Sequence, residues 1–285
     1  MAATLFSDAM RLHRIQGEPA DLQSTFEANL SPHWTIGPKI HGGVMLSLCA
    51  KAAATALGDG GPEPIAVSAN FLWAPDPGPV QLVTTVRKRG RQISLVDVEL
   101  VQVVRTGDER SREEQRTAVR AAITLGTPEH DVAPLLSINP AVDRMSVEPP
   151  ADIEQIGPGH RLAEINHLAA GCDIRPDLSG LHPVDGQAPL TRIWVRPREE
   201  APDSLFALVC SDISMPVTFA VGRTGWAPTV QLTAYLRGKP ADGWLRVVCT
   251  TMQIGQDWFD EDHTVVDSQG RIVAQSRQLA LVPAP

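Results

Sequence analysis

A strand-like stretch of sequence occurs twice in this chain, and the repetition restricts the folds that are open to it. Val67 to Trp73 is followed by a Pro/Gly turn and then by Val80 to Val86, which predicts two strands joined by a tight connection. The same layout returns at Val230 to Leu236 and at Trp244 to Thr250, so that Val230 follows Val67 by 163 residues. The repeat predicts two similar folding units within one chain.

Each copy also has an apolar segment upstream and two more strand-like runs downstream. The upstream segments, His41 to Leu57 and Ser204 to Pro216 onward, are apolar nearly all round, which predicts two buried helices. The downstream runs are Ile93 to Val104 and Thr117 to Leu125 in the first copy, and Trp258 to Val266 and Arg271 to Val282 in the second. The sequence therefore predicts a buried helix followed by a four-strand antiparallel meander, twice.

Between the two copies the sequence changes character. The stretch from Thr127 to Gly159 is rich in proline and has weak hydrophobic periodicity, as expected of a segment that crosses the surface. We therefore predict an N-terminal domain at residues 1–126, a linker at 127–160 and a C-terminal domain at 161–285. The length of 285 residues suits two domains of ordinary size.

Composition excludes several classes of function. Acidic residues outnumber basic ones by 33 to 25, so the chain lacks the basic stripe that nucleic-acid binding needs. We predict no membrane-spanning helix and no secretory signal, and therefore a cytoplasmic protein. The four cysteines have no C-x-x-C spacing, so we expect buried reduced thiols and no metal site.

Four short motifs follow one another in a recognisable order. They are His41-Gly42-Gly43 at the first helix, Ser211-Asp212 on the second, Thr229 at the start of the next strand, and Val273 to Gln278 on the last strand. In this order the chain resembles the bacterial type II acyl-CoA thioesterases, which have a double hotdog fold. The resemblance spans most of the chain and implies an α+β architecture, in which two sheets join side by side around two central helices.

The resemblance also implies an activity and a set of roles. It places the catalytic groups at Asp212, Thr229 and Gln278, and substrate binding at His41, Gly42 and Gly43. The implied reaction is hydrolysis of a fatty acyl-CoA to the free acid and CoA, without metal or other cofactor. Proteins of this kind associate with copies of themselves, so a homodimer or larger homo-oligomer is also implied.

The residue types suit that chemistry. Hydrolysis of a thioester needs an oriented water, a group that takes its proton, and donors for the oxyanion. Asp212 is the candidate base, because a carboxylate among apolar helix residues is costly to bury without a purpose. Thr229 and Gln278 can each donate and accept a hydrogen bond, and Gly42 and Gly43 allow close approach to the helix N-terminus. His41 is expected to cap or pack there.

The repeat supplies an internal comparison for the three catalytic candidates. At the offset of 163 residues, Asp212 corresponds to Cys49 and Thr229 corresponds to Ala66, while Gln278 corresponds to Ala121 or Ala122. Polar residues in the second copy thus correspond to small, apolar ones in the first. We expect the second copy to carry the chemistry and the first to form the opposite wall of a shared site.

Three other functions remain open at this point. Asp177 and His182 have the separation of the Asp/His pair of a hotdog enoyl-CoA hydratase, but the Asn-Pro expected between them is absent. A protein that binds acyl-CoA or another acyl carrier without turnover would need the same pocket. A scaffold with an empty apolar tunnel would not need the polar residues of the second copy.

Overall fold

A continuous antiparallel sheet of twelve strands is the framework of the protein, as a computed structural model shows. The structure describes residues 3–58, 60–106, 112–130, 132–139, 144–182 and 186–284. Its α-helices are α1 Leu5–Ala9, α2 Gly42–Leu57 and α3 Ser204–Cys210. The strands are β1 His13–Gln16, β2 Gln23–Leu30, β3 Thr35–Ile36, β4 Lys39–Ile40, β5 Glu63–Phe71, β6 Gly78–Lys88, β7 Ser94–Thr106, β8 Arg112–Gly126, β9 Cys172–Asp177, β10 Leu190–Pro197, β11 Thr229–Leu236, β12 Leu245–Thr250, β13 Trp258–Val266 and β14 Ile272–Leu281.

The two copies meet where β5 pairs with β11. The strand order is β1-β2-β6-β7-β8-β5-β11-β14-β13-β12-β10-β9, and β3 and β4 form a separate pair. Ala69 lies opposite Leu232 at the seam, where both side chains are buried beneath the sheet. On the other face, the Ser68 and Thr233 hydroxyl groups lie 3.0 Å apart. The predicted double hotdog, with one sheet running through both units, is confirmed.

The predicted pairing of the first strand in each copy was wrong. The strands β6, β7 and β8 do form a meander, but β5 pairs with β8 and β11 instead of β6. In the second copy β11 pairs with β14 and β5, not with β12. Hydrophobic alternation identifies strands but not their neighbours, and this arrangement leaves neither of these two strands with an unpaired edge.

The helix α2 is the central helix of the first unit, as the sequence predicts. It begins after His41, ends at Gly58, which has a φ of 102°, and is buried on most sides. The apolar face of the sheet covers it, and this contact removes a large apolar area from water. No helix in the described part of the chain is long and apolar enough to cross a membrane.

The second helix is shorter than predicted. The Asp203 side chain caps α3 by accepting a hydrogen bond from the N–H of Phe206, at 2.7 Å. The helix ends at Cys210, not near Pro216, because the N–H groups of Ser211 and Asp212 bond to carbonyls three residues earlier and tighten the last turn. Asp212 therefore lies in the turn just after the helix, and not on the helix as predicted.

The structure describes only part of the predicted linker, whereas it describes all four cysteines. The predicted linker at 127–160 includes positions 131 and 140–143, which lie outside the described residues. All four cysteines are free and buried, as predicted. Burial raises the pKa of the Cys49 thiol to about 12, so this thiol is protonated and unreactive at neutral pH.

The two helices α2 and α3 touch where α2 has a glycine. A Cβ atom on Gly43 would lie 2.6 Å from the carbonyl oxygen of Val209, closer than such atoms can approach. One turn further along, the Ser47 hydroxyl donates to the carbonyl of Leu205 at 2.8 Å. The glycine thus allows backbone-to-backbone contact between the helices of the two units.

We expect Gly43→Ala to lower the free energy of unfolding. The added methyl group forces α2 and α3 apart, at a cost of about 1–3 kcal/mol, which the better helix propensity of alanine offsets by at most about 1 kcal/mol. Urea unfolding measures the change. Gly157→Ala is the matched control, because a Cβ at Gly157 meets nothing within 4 Å. Equal midpoints for the two variants would contradict the close helix contact.

Candidate active site

The first turn of α2 holds a carboxylate from the other unit. The N–H of Gly43 donates a hydrogen bond to the carboxylate of Asp212. A Cβ atom on Gly42 would lie 2.5 Å from Oδ2 of Asp212 and 3.2 Å from the ring of Phe71. Only glycine therefore lets the carboxylate sit against this helix end, where backbone N–H groups and the helix dipole favour negative charge.

The Asp212 carboxylate is almost fully buried. Its side chain is 8% exposed, and burial raises the pKa of the carboxyl group to about 7, although the Gly43 N–H opposes the shift. A carboxyl group of this kind changes its charge near neutral pH. That property suits a group that takes up and returns a proton.

His41 lies beside Asp212 as a neutral ring. Burial lowers the pKa of His41 to about 4, and its Nε2 lies 2.8 Å from the backbone oxygen of Asp212. A carbonyl oxygen only accepts, so Nε2 carries the hydrogen and Nδ1 carries a lone pair. Nδ1 is buried and has no partner among the described residues. His41 occupies the N-cap position of α2, but its side chain makes no capping hydrogen bond and packs beside Asp212 instead.

Thr229 and Gln278 form a second group on the inner face of the sheet. The Thr229 hydroxyl donates to Oε1 of Gln278 at 2.9 Å. The amide nitrogen of Gln278 donates to the carboxylate of Glu261 on the neighbouring strand. Since each end of the amide has a different partner, the Gln278 side chain has one orientation. The Thr229 oxygen keeps its lone pairs free to accept from a water.

Glu261 is a residue of this site that the sequence predictions missed. It is 1% exposed, and its carboxylate accepts from the Val217 N–H at 2.7 Å, the Ser214 hydroxyl at 3.2 Å and the Gln278 amide. Burial raises its pKa to about 7. A signal was present, because alternation along β13 places Glu261 on the same face as the buried Phe259 and Val265.

His263 completes a buried polar layer behind Glu261. Its Nε2 lies 2.8 Å from the Ser214 hydroxyl, and burial lowers its pKa to about 3, so the ring is neutral. Cys249, Glu261 and His263 present potential metal ligands within 4.8 Å of one another. However, the hydrogen bonds described above already engage both oxygens of Glu261 and Nε2 of His263. The present geometry therefore favours a hydrogen-bonded layer over a metal centre.

The structure places the predicted residues in two adjacent groups. His41, Gly42, Gly43 and Asp212 form one, and Thr229 with Gln278 forms the other; in the described part of the chain no direct hydrogen bond joins Asp212 to the second group. The groups are nonetheless close. The charge of Asp212 contributes to the raised pKa of Glu261. Ser276, two residues before Gln278, also donates to the backbone oxygen of Ser211 at 2.6 Å.

The pair considered for a hydratase lies elsewhere. The Asp177 carboxylate binds the guanidinium of Arg192 at 2.8 Å and the N–H of Ser179 at 2.9 Å, on an outer strand of the sheet. His182 is exposed. Since both the ion pair and the turn explain Asp177, this part of the molecule offers no catalytic pair.

Comparison with known proteins gives a consistent result. Models of the acyl-CoA thioesterase N-terminal and C-terminal domains match residues 30–126 and 141–282. An uncharacterized protein of Mycobacterium tuberculosis is 57% identical over 98% of this chain and 99% of its own length. A candidate thioesterase II from Thermobifida fusca superposes with a TM-score of 0.80 at 25% identity, covering 100% of this chain and 99% of the other. The dehydratase domain of the polyketide PpsC from Mycobacterium tuberculosis shares the fold, with a TM-score of 0.54 at 15% identity and coverage of 96% and 98%.

We expect Asp212→Asn to stabilise the protein at high pH. The carboxyl group of Asp212 has a higher pKa in the folded protein than in the unfolded chain, so the folded protein binds its proton more tightly. This stabilises the folded protein fully at pH values below the unfolded pKa, and the contribution is lost as the pH rises to about 7. Asparagine does not ionise and keeps an acceptor for Gly43. The stability difference between variant and wild type should therefore grow between pH 4 and 7, by on the order of 1–4 kcal/mol in total.

Urea unfolding at pH 5 and pH 8 measures this difference. The surface change Asp152→Asn controls for the loss of one carboxylate. The two buried histidines contribute an opposite pH dependence in this range, so each variant is compared with wild type at the same pH. A stability difference that is the same at both pH values would show that Asp212 is ionised without cost in the folded protein.

Proposed function

The chain belongs to the acyl-CoA thioesterase family, and we propose that it hydrolyses a fatty acyl-CoA to the free fatty acid and CoA. The observation that supports this most strongly is the buried Asp212 carboxylate at the N-terminus of α2, beside the hydrogen-bonded pair of Thr229 and Gln278. This arrangement combines a proton acceptor, groups that orient a water, and backbone donors. Those are the three requirements of thioester hydrolysis.

In the proposed reaction, Asp212 takes a proton from a water while the water oxygen attacks the thioester carbonyl carbon. Thr229 donates to Gln278, so its oxygen accepts a hydrogen from the water and aligns it. The tetrahedral intermediate then expels the CoA thiolate. Asp212 returns its proton to the sulfur, which yields the acid and CoA with atoms and charges balanced.

The oxyanion has a candidate donor at the start of α2. The Gly43 N–H already binds Asp212, whereas the N–H of Gly42 has no partner among the described residues. We therefore assign the thioester oxygen to Gly42, with support from the helix dipole. His41 is neutral and lies beside this place, so its role in the proposal is to form a wall of the substrate site, not to act as a base.

Other parts of the proposal rest on the family alone. By this likeness we expect a cytoplasmic enzyme of fatty acid metabolism that forms a homodimer or larger homo-oligomer. A protein that binds acyl-CoA without turnover remains the alternative outcome of the first experiment below. Among the described residues, no observation favours a hydratase.

We expect CoA release from a panel of short-, medium- and long-chain acyl-CoAs, and its loss in two variants. Asp212→Asn removes the base, and Gln278→Ala frees the Thr229 hydroxyl, so each should reduce kcat by on the order of 10²-fold or more. Turnover by wild type should rise between pH 6 and 8, as Asp212 ionises. Thiol release, measured with a chromogenic disulfide, reports the rate.

The results of this panel separate the possibilities. Wild type that binds acyl-CoA without releasing CoA would establish the binding protein. Turnover that survives in both folded variants would retain the reaction but reject the site. Circular dichroism of each variant shows whether it is folded.

We also expect Glu261→Gln to reduce kcat by on the order of 10- to 100-fold, with little change in KM. The Val217 N–H needs an oxygen at one position of residue 261, so the NH2 group of a glutamine there faces the NH2 group of Gln278. Gln278 then turns over and reverses its hydrogen bond with Thr229. Ser214→Ala is the matched control, because it removes another donor to Glu261 but leaves the Gln278 contact in place. Equal kcat in Glu261→Gln and wild type would exclude this orienting role.

A further inference from the structure

Two chain segments run side by side from the candidate site toward the surface. Residues 39–42 lead into α2, and residues 71–76 follow β5. At one end Phe71 packs against Gly42, in the middle the N–H of Ile40 bonds to the carbonyl of Pro75 at 3.5 Å, and at the other end Lys39 pairs with Asp76 at 2.6 Å. The surroundings of Trp73, midway along the second segment, therefore form a rim of the site.

Trp73 lies at this rim, and two cations lie close to its ring. The guanidinium of Arg116 lies 4.9 Å from the centre of the indole ring, and the ammonium group of Lys39 lies 6.0 Å from it. We call Lys39, Trp73 and Arg116 the rim cluster. Aromatic rings and guanidinium planes are the surfaces on which nucleotide bases stack, and guanidinium groups bind phosphate with two parallel hydrogen bonds.

Arg116 carries a charge that no acid among the described residues neutralises. It is exposed on β8 and has neither a hydrogen bond nor an ion pair with any described residue. Arg120, four residues along the same strand, instead pairs with Glu99 at 3.1 Å. In a chain with a net charge of −8, an uncompensated cation beside the site is a feature that an anionic ligand can use.

A groove lies next to the loop that contains Asp76, although no residue of the rim cluster lines it. It has a volume of about 1080 Å³ and is lined by the loop that contains Asp76 and by Gln102. Gln102 is opposite Arg116 in the strand pairing, and its side chain holds the backbone of Asp76 through hydrogen bonds of 2.9 and 3.3 Å. Gln102 thereby holds the Asp76 loop, and with it the partner of Lys39, next to Arg116.

We propose that the rim cluster binds the phosphorylated adenosine end of the CoA thioester. The proposal rests on the thioesterase function above and locates the half of the substrate that does not react. The adenine stacks on the guanidinium plane of Arg116, which itself lies over Trp73, while the phosphate groups pair with Arg116 and with Lys39, which exchanges its ion pair with Asp76 for the phosphate. The pantetheine arm then follows the two segments to the helix N-terminus, where the thioester meets Asp212.

This arrangement favours CoA over a carrier protein as the acyl donor. Both carry the acyl group on a phosphopantetheine arm, but only CoA ends in an adenine ring and a further phosphate. To bind a carrier protein, this chain would need a surface that contacts the helices of the carrier. The cations near Trp73 instead offer what a purine nucleotide needs, a surface for stacking and charges for phosphate.

Binding of adenosine 3′,5′-bisphosphate tests the proposal without any turnover. Calorimetry should show that wild type binds this nucleotide and that Arg116→Gln and Trp73→Ala each weaken binding at least fivefold. Arg120→Gln is the matched control and should bind as wild type does. No binding by wild type, or equal loss in Arg120→Gln, would overturn the proposal.

Kinetics on two substrates complete the test. For acyl-CoA, Arg116→Gln should raise KM by about fivefold to tenfold and leave kcat unchanged, whereas for the same acyl group on pantetheine it should change neither. A wild type that hydrolyses acyl-pantetheine and acyl-CoA with equal kcat/KM would retain the thioesterase but reject this subsite. A wild type that binds the bisphosphate but hydrolyses neither thioester would retain the subsite and reject the proposed function.

Discussion

The contact between the Asp212 carboxylate and the first turn of α2 is the interaction on which the rest of the site depends. A buried carboxylate is expensive unless donors and a favourable field surround it. The helix end supplies both, but only because Gly42 and Gly43 lack the side chains that would keep the carboxylate away. The result is a partly compensated group with a pKa of about 7, which is stable enough to bury and basic enough to take a proton.

This contact joins the two halves of the molecule. The helix comes from the first unit and the carboxylate from the second, and the pairing of β5 with β11 holds the units in register. The close approach of Gly43 to Val209 adds a second connection between them. Neither unit has the complete set of groups, because the second unit supplies the polar residues and the first supplies the helix terminus.

A polar layer extends from the site into the apolar core. Thr229, Gln278 and Glu261 form a chain in which each donor has one acceptor, and Ser214 and His263 continue it. In a low-dielectric interior such a chain is rigid when every member is satisfied and costly when one is removed. In the proposed reaction, the direction of these hydrogen bonds leaves the Thr229 oxygen free to accept from the water.

The sequence by itself determined the strands, the central helix, the duplication and the family, because hydrophobic periodicity and short motifs are local properties. It also identified Asp212, Thr229 and Gln278 as polar residues in the copy that should carry the chemistry. It did not determine that β5 pairs with β8 and β11, since alternation shows which face is buried but not which strand lies alongside. Nor did it reveal Glu261 or the rim cluster of Lys39, Trp73 and Arg116. Those groups come from distant parts of the chain, and only the closing of the sheet around α2 brings their charges and hydrogen bonds together.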